Sequence, residues 1–352
     1  MKIFVHESIT GGEPSSSMIA STLLAEGRMM LEALLADLIR VEEHQLVVLV
    51  DRSRLERIAP YPRLRVTDVR GEYKQVFIEM VEEADATLLV APETAGLLER
   101  LTSMVEARGK LVLGSSSVGI KATGDKALTY QFLKASGIPT PETYPVRRSD
   151  DLAPLARHLG YPVVVKPLDG AGCQSVFIAR QETELRQAIA AVGRETGQDT
   201  HLLQPCIQGV HASVSLLTDG VGCLPLTLNL QEIRGRARLS YRGGRVPFDH
   251  PLRPLAFWRA EEVVRAIPGL KGYVGIDMVL TDCDAVVIEV NPRVTTSYVG
   301  IRKVLRQNSG AMMLCAALGN LPRPGQIEIV GTARFSTRSC NSADRGTDRW
   351  PA

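Results

Sequence analysis

Two acids interrupt stretches that otherwise read as buried strand. Gly275-Ile276-Asp277-Met278-Val279-Leu280 is an apolar run broken by one carboxylate, and downstream comes Glu289-Val290-Asn291-Pro292-Arg293. Glu289 and Asn291 are two apart, so on a strand their side chains share a face. Three oxygen donors on neighbouring strands suit Mg²⁺ or Mn²⁺. Such an ion takes a few carboxylates and leaves positions for phosphate oxygens. The plainer alternative is a hairpin with polar ends. That alternative covers Asp277 taken alone. It does not cover Asp277, Glu289, Asn291 and Arg293 together, because burying two acids without a cation is costly.

A second signal is cationic. Lys126 opens a helical segment, and Lys166 ends the strand Val163-Val164-Val165-Lys166-Pro167. A lysine buried there needs an anionic partner, although either lysine alone is more often a surface residue. The turn Asp169-Gly170-Ala171-Gly172-Cys173-Gln174-Ser175 follows. Its Gly170 and Gly172 let the backbone bend over phosphates, as they also do in ordinary hairpins. The stretch holding Arg234, Arg236, Arg238, Arg242 and Arg245 has two readings. One is a solvated loop. The other is a mobile cover that brings positive charge, Arg234 included, to a phosphate and a carboxylate. Nucleic-acid binding is a third and poorer reading, because Tyr241 is the sole interleaved aromatic and Glu232 and Asp249 flank the stretch. His250, next to Asp249 and Pro251, either lines a substrate site or holds a turn.

The elements that position these residues change character along the chain. Strand-like and helix-like segments alternate first: Lys2–His6, a helix over 21–39, Leu46–Val50, a helix over Tyr73–Val81, Leu88–Ala91, a helix over Thr94–Ala107, then Leu111–Leu113. This order predicts a parallel sheet covered on both faces. A helix over Lys126–Ala135 follows, capped by Thr123 or Asp125 and stopped at Gly137 and Pro139. Strands dominate afterwards, with a last helix over Gly300–Leu318. The fold class is α/β passing into α+β. The units expected are 1–120, 121–201 and 202–331, with a disordered tail over 332–352 that is poor in apolar residues.

Composition bounds the rest. The 352 residues are 45% hydrophobic and 23% charged, enough for two or three units with real cores. Lys and Arg number 41 and Asp and Glu 39, a balance that gives no global case for nucleic acid. No run approaches the roughly 18 apolar residues of a membrane span. The acid at Glu7 comes too early for a secretory apolar segment. The six cysteines form no Cys-x-x-Cys pair and predict neither a disulfide frame nor a zinc site. A cytoplasmic protein is expected.

Taken in order, Lys126 in Gly124-Asp125-Lys126, Val165-Lys166-Pro167, the glycine turn, Asp277 and Glu289-x-Asn291-Pro292-Arg293 resemble the ATP-grasp superfamily over residues 100–325. The resemblance implies two lobes gripping ATP, preceded by a Rossmann-like pre-ATP-grasp domain. It implies that Lys126 and Lys166 contact ATP phosphates, and that Asp277, Glu289 and Asn291 hold one or two Mg²⁺. Arg293 would steady the charge of an acyl phosphate or tetrahedral species. The hinge reads Gln204-Pro205-Cys206-Ile207 where many members carry a Glu–aromatic pair. His211 stands where many have an acid for the ribose. Adenine would meet backbone groups near Ile207.

A narrower likeness spans most of the chain. Val5-His6-Glu7 with Gly11-Gly12, Glu26-Gly27-Arg28, Asn229-Leu230-Gln231-Glu232-Ile233, Gly243-Gly244-x-Val246-Pro247-x-Asp249-His250-Pro251 and Asn291-Pro292-Arg293-Val294-Thr295-Thr296-Ser297-Tyr298-Val299-Gly300 are similar to the tyramine–L-glutamate ligases of methanofuran biosynthesis. This likeness implies an ATP-dependent carboxylate–amine ligase acting through an acyl phosphate on small-molecule substrates, joining glutamate to tyramine or tyrosine. Gln231, His250 and Tyr298 are its expected substrate residues, with no nucleic-acid or membrane partner, and a homodimer is compatible with it. A ligase for another amino acid and amine pair, and a non-catalytic ATP-binding regulator, are the alternatives.

Overall fold

The computed structural model describes residues 1–14, 21–55 and 58–337. The first unit runs β1 (Lys2–Glu7), α1 (Ser21–Leu38), β2 (Gln45–Val50), β3 (Leu64–Asp68), α2 (Tyr73–Glu83), β4 (Ala86–Val90), α3 (Leu97–Glu106) and β5 (Leu111–Val112). Its sheet has the order β3-β2-β1-β4-β5, and every pairing is parallel. Strands such as Leu46-Val47-Val48-Leu49-Val50 are apolar on both faces because helices cover both. Ile3 and Val5 pack with Leu31, Leu34 and Leu35 of α1, whereas Phe4 packs with Phe77 of α2 and Leu98 of α3. Ligands of such sheets gather beyond the carboxyl ends of the strands. Glu7 closes β1 there, and Glu93 follows β4.

Next come α4 (Ser117–Gly124), α5 (Lys126–Ala135), β6 (Tyr144–Arg147), α6 (Ala153–Leu159), β7 (Val163–Pro167), β8 (Phe177–Ala179), α7 (Glu182–Thr196) and β9 (Thr200–Pro205). Of the two candidate caps, Asp125 is the one used: it accepts from the amides of Ala127 and Leu128. The four strands form an antiparallel sheet in the order β6-β9-β7-β8. Val163 and Val165 point into the core against Leu185, Ile189 and Val192 of α7. The period of two therefore turns Val164 and Lys166 to the other face.

The last unit holds β10 (Val210–Thr218), β11 (Cys223–Arg234), β12 (Ser240–Val246), α8 (Arg253–Ala266), β13 (Gly272–Leu280), β14 (Ala285–Asn291), α9 (Tyr298–Val304), α10 (Ser309–Ala317) and β15 (Ala333–Ser336). Its sheet order is β14-β13-β10-β11-β12-β15, antiparallel throughout. Ile276 and Met278 pack against α8 with Val214 and Val263, which leaves Asp277 on the opposite face.

Two expectations need correction. The single helix over 300–318 is two helices: α9 ends at Leu305, whose backbone is extended and bridges Ile329, and Asn308 caps the next by accepting from the Ala311 amide. The tail is not unstructured from residue 332. Ala333–Ser336 pair with β12, and Phe335 packs on the core beside Val246 and Tyr298. One aromatic and a free strand edge suffice where average composition pointed to disorder. The expectation for 338–352 lies outside the described residues. Among the described residues, no helix is long and apolar enough to cross a membrane.

Candidate active site

The two antiparallel sheets face each other across a cleft of about 900 Å³, part of it open to solvent, a size that suits a nucleotide-scale ligand. Val164, Ile178, Ile207, Leu239, Val279 and Ile288 supply its apolar walls. Lys126, Lys166, Asp277 and Glu289 meet at one end. The Lys126 ammonium lies 2.9 Å from Glu289 Oε1 and donates to the Gly170 carbonyl at 2.8 Å. Burial opposes its charge, but Glu289, Glu93 and Asp169 outweigh that and leave its pKa above the ordinary value. Burial pushes Lys166 down to about 8, with the attraction of Glu289 too small to offset it.

Asp277 and Glu289 oppose each other in register on β13 and β14, as do Gly275 and Asn291. A bulge follows Asp277 and keeps Glu289 and Asn291 on the face of Asp277. Burial, then the nearby charge of Glu289, raises Asp277 to about 7, against hydrogen bonds from Gln231 and Asn291. Gln231 Nε2 donates to Asp277 Oδ1 at 2.9 Å. Among the described residues, no group of three or more His, Cys, Asp or Glu forms a metal cluster. Two carboxylates that repel each other beside one amide oxygen do fit a hard dication that completes its shell from phosphate and water.

The glycine turn spans the mouth of this cleft. Gly170 and Gly172 take positive φ, 118° and 67°, which only glycine adopts without strain. Gly170 faces the nucleotide-sized cleft, whereas Gly172 faces a second cavity. Gln204 and His211 line the first cleft. The Gln204 amide is committed to Thr143 Oγ1 at 2.6 Å, and burial lowers His211, which favours its neutral form.

The second cavity, about 850 Å³, shares Gln231, Ile233, Asp277 and Glu289 with the first. It runs to the first unit, where Glu7, Ile9, Leu23, Glu26, Met30 and Pro92 form its far wall. Tyr241, Asn291, Arg293, Thr295 and Thr296 complete it. Arg293 is gripped at two points by Glu93, Nε to Oε1 at 2.9 Å and Nη2 to Oε2 at 2.8 Å.

Three expected residues do not reach either cavity. Tyr298 is 1% exposed, inside the core, and its hydroxyl donates to Asp37 at 2.7 Å. Residue order along a loop did not reveal that α9 turns it inward. His250 accepts from the Leu252 amide at 3.2 Å and holds the turn into α8. Arg234 is exposed at the end of β11, and its loop is docked on β8. The Ile178 amide donates to the Ala237 carbonyl at 2.7 Å, and the Leu239 amide to the Val176 carbonyl at 2.9 Å. Arg238 pairs with Glu195 at 2.8 Å. Sequence reading assigns no site role to Glu93, or to Glu26 and Tyr241, although Glu26 stands in the Glu26-Gly27-Arg28 motif and Tyr241 in the arginine stretch. The place of Glu93 just past an apolar parallel strand was the available signal.

With this geometry in place, residues 123–297 match the model of the ATP-grasp domain, and residues 44–120 match that of the pre ATP-grasp 3 domain. The tyramine–L-glutamate ligase of Methanocaldococcus jannaschii is 29% identical over 284 residues, 80% of this chain and 79% of that protein. The tyramine–L-glutamate ligase of Methanocaldococcus fervens is 29% identical over 285 residues, 80% of this chain and 84% of its own length. A crystal structure of an Archaeoglobus fulgidus protein assigned to the ATP-grasp superfamily superposes with a TM-score of 0.71 at 24% identity, covering 94% of this chain and 91% of that one.

Proposed function

The chain belongs to the ATP-grasp superfamily and is an ATP-dependent carbon–nitrogen ligase, and from that premise we propose that it joins the γ-carboxylate of glutamate to a phenolic amine, tyramine or tyrosine. The observation that carries this reading is the shared wall. A nucleotide-sized cleft and a polar cavity meet over Asp277 and Glu289, so a phosphoryl group from one side can reach a carboxylate on the other.

The substrate carboxylate attacks the γ-phosphorus of ATP, and the bond to the β-phosphate oxygen breaks. The acyl phosphate is then attacked by the amine nitrogen, which loses a proton, and phosphate leaves as the amide forms. Lys126 and Lys166 hold ATP phosphates on the cleft side. Mg²⁺ bound by Asp277, Glu289 and Asn291 would neutralise the phosphate oxygens and align them for transfer. Gln231 keeps Asp277 oriented. Arg293, fixed by Glu93, offers a preorganised positive charge to the acyl oxygen. Little else is asked of side chains, because positioning and charge neutralisation supply most of the rate in phosphoryl transfer.

The phenolic amine is supported by the two relatives and by the make-up of the second cavity. Leu23, Met30, Ile9 and Pro92 offer apolar contact to a ring, and Tyr241, Thr295 and Thr296 offer hydroxyl partners to a phenol. Tyr241, and not the core residue Tyr298, is the tyrosine of this cavity. The test is ADP release with glutamate and a panel of amines, with product mass checked. Tyramine or tyrosine is expected to lead. Strong turnover with lysine or ammonia and none with either phenolic amine would reject the substrate and leave the ligase standing.

A further inference from the structure

The second cavity has two acids on its far wall, and they differ in one respect. Glu7 is fully committed. Its Oε1 accepts from the Ile9 amide at 3.1 Å, and its Oε2 accepts from the Thr10 amide at 2.8 Å and the Thr10 hydroxyl at 2.7 Å. It lies against Gly27, where an added Cβ would meet the carboxylate at 2.7 Å, so α1 packs directly over it. Glu26, one residue earlier on α1, lines the same cavity half-buried. Among the described residues it has no hydrogen bond and no ion pair. Arg293, whose charge acts on it, is already held at two points by Glu93.

From this we infer that Glu26 is the anionic partner of a substrate's primary ammonium in the second cavity. The inference rests on the ligase reading and extends it to a residue that the metal and phosphate motifs do not include. Three facts support it. Among the described residues, Glu26 is the one acid of that wall left without a partner. Burial pushes its carboxyl up to about 7, with only the charge of Arg293 opposing, as expected of a carboxylate lacking a counter-ion. The apolar neighbours Leu23 and Met30 leave a carboxylate there without function unless a cation arrives. Both proposed substrates carry a primary ammonium: the amine itself, and the α-ammonium of glutamate. The residue recognises that shared group, and kinetics assign it to one of them.

The test is Glu26→Gln, which keeps size and packing, with Glu26→Asp beside it. Apparent KM is measured separately for ATP, glutamate and tyramine by ADP release. In Glu26→Gln the KM of one ammonium-bearing substrate should rise roughly tenfold or more, the scale of one charge-assisted hydrogen bond. The KM for ATP should stay within about twofold, and Glu26→Asp should recover part of the loss. A rise for tyramine assigns the group to the attacking amine, and a rise for glutamate assigns it to the acid. Unchanged KM for both substrates overturns the inference while leaving the ligase reading intact. If the parent protein turns over neither substrate, the ligase reading has failed. Calorimetric titration of tyramine and of glutamate into parent and Glu26→Gln protein then decides this inference alone: weaker binding of either to the variant upholds it, and equal or absent binding overturns it.

Discussion

Glu93 and Arg293 are joined by a two-point ion pair across two units of the molecule, with side chains only 4% and 9% exposed. Glu93 follows the last residues of β4 in the parallel sheet. Arg293 lies two residues past Asn291, the last residue of β14. The pair therefore fixes the N-terminal unit against the strand that carries Glu289 and Asn291. It also sets where the Arg293 charge points.

Removing one partner of such a pair leaves a buried charge uncompensated, which costs about 3–5 kcal/mol. Glu93→Ala is therefore expected to lower the melting temperature well beyond the effect of a surface substitution. Turnover at a temperature where the variant is still folded should also fall, because Arg293 is no longer aimed. Thermal unfolding followed by circular dichroism, with kcat measured below the transition, checks both. A variant that melts with the parent would mean the pair adds nothing to the domain contact.

Glu289→Gln separates metal binding from folding. Glu289 meets Lys126 at 2.9 Å and opposes Asp277 across the ladder. The amide keeps the volume and removes the charge, so Asp277 loses a repelling neighbour and the fold should persist. Turnover should drop by at least about 10²-fold, the scale of losing one electrostatic stabiliser at a reacting centre. Activity over a range of Mg²⁺ concentrations checks it. Parental turnover at ordinary Mg²⁺ would remove Glu289 from the metal set.

Lys166 gives a pH prediction with a definite sign. Its ammonium is depressed to about 8 by burial, so the charged form that attracts phosphate is lost as pH rises through about 8. The apparent KM for ATP is expected to rise between about pH 7 and pH 9 in the parent. Lys166→Arg, whose guanidinium does not titrate there, should flatten that rise even if its affinity is lower throughout. Calorimetry of ATP binding at the two pH values is the measurement, and equal pH dependence in both proteins would show that Lys166 does not report on phosphate.

Much of this architecture was legible because period and chemistry coincided. The carboxylate of Asp277 breaks an apolar strand, and strand alternation turns it away from the core of Ile276 and Met278; the bulge that sets Glu289 and Asn291 on the same face was not legible. The start of α5 at Lys126 was also legible, although the sequence left Thr123 and Asp125 as alternative caps. What stayed hidden depended on contacts far apart in sequence. Glu93 and Arg293 are 200 positions apart, and nothing local in either marks the other. Glu26 sits on a helix whose apolar periodicity explains its neighbours and says nothing of the cavity it faces. α8 carries charges at short intervals that blur the helical period. β15 forms because the edge of β12 is there to receive it. Tyr298 was misplaced for a related reason: adjacency to Arg293 along the chain was taken as adjacency to the site, while the turn at 295–297 sends the ring into the core.

The two tyrosines near this site should therefore separate cleanly. The Tyr298 hydroxyl donates to Asp37 Oδ2 at 2.7 Å, and Arg302 pairs with Asp37 Oδ1 at 2.7 Å, a buried network that ties α1 to α9. Tyr298→Phe removes one of its bonds and leaves Asp37 paired, so the expected cost is about 1–3 kcal/mol of stability. No change in amine selectivity is expected. Tyr241 lines the second cavity, and its hydroxyl lies 3.1 Å from Thr296 Oγ1. Tyr241→Ala removes an aromatic wall from the space assigned to the phenolic ring, and should raise the KM for tyramine roughly tenfold, the scale of losing ring contacts. The KM for ATP should change little, because Tyr241 does not line the nucleotide-sized cleft. Melting curves and KM values for tyramine, glutamate and ATP in both variants decide the matter. If Tyr298→Phe shifts the amine KM while Tyr241→Ala leaves it unchanged, the ring lies on the other side of Arg293, and the second cavity has been assigned to the wrong substrate.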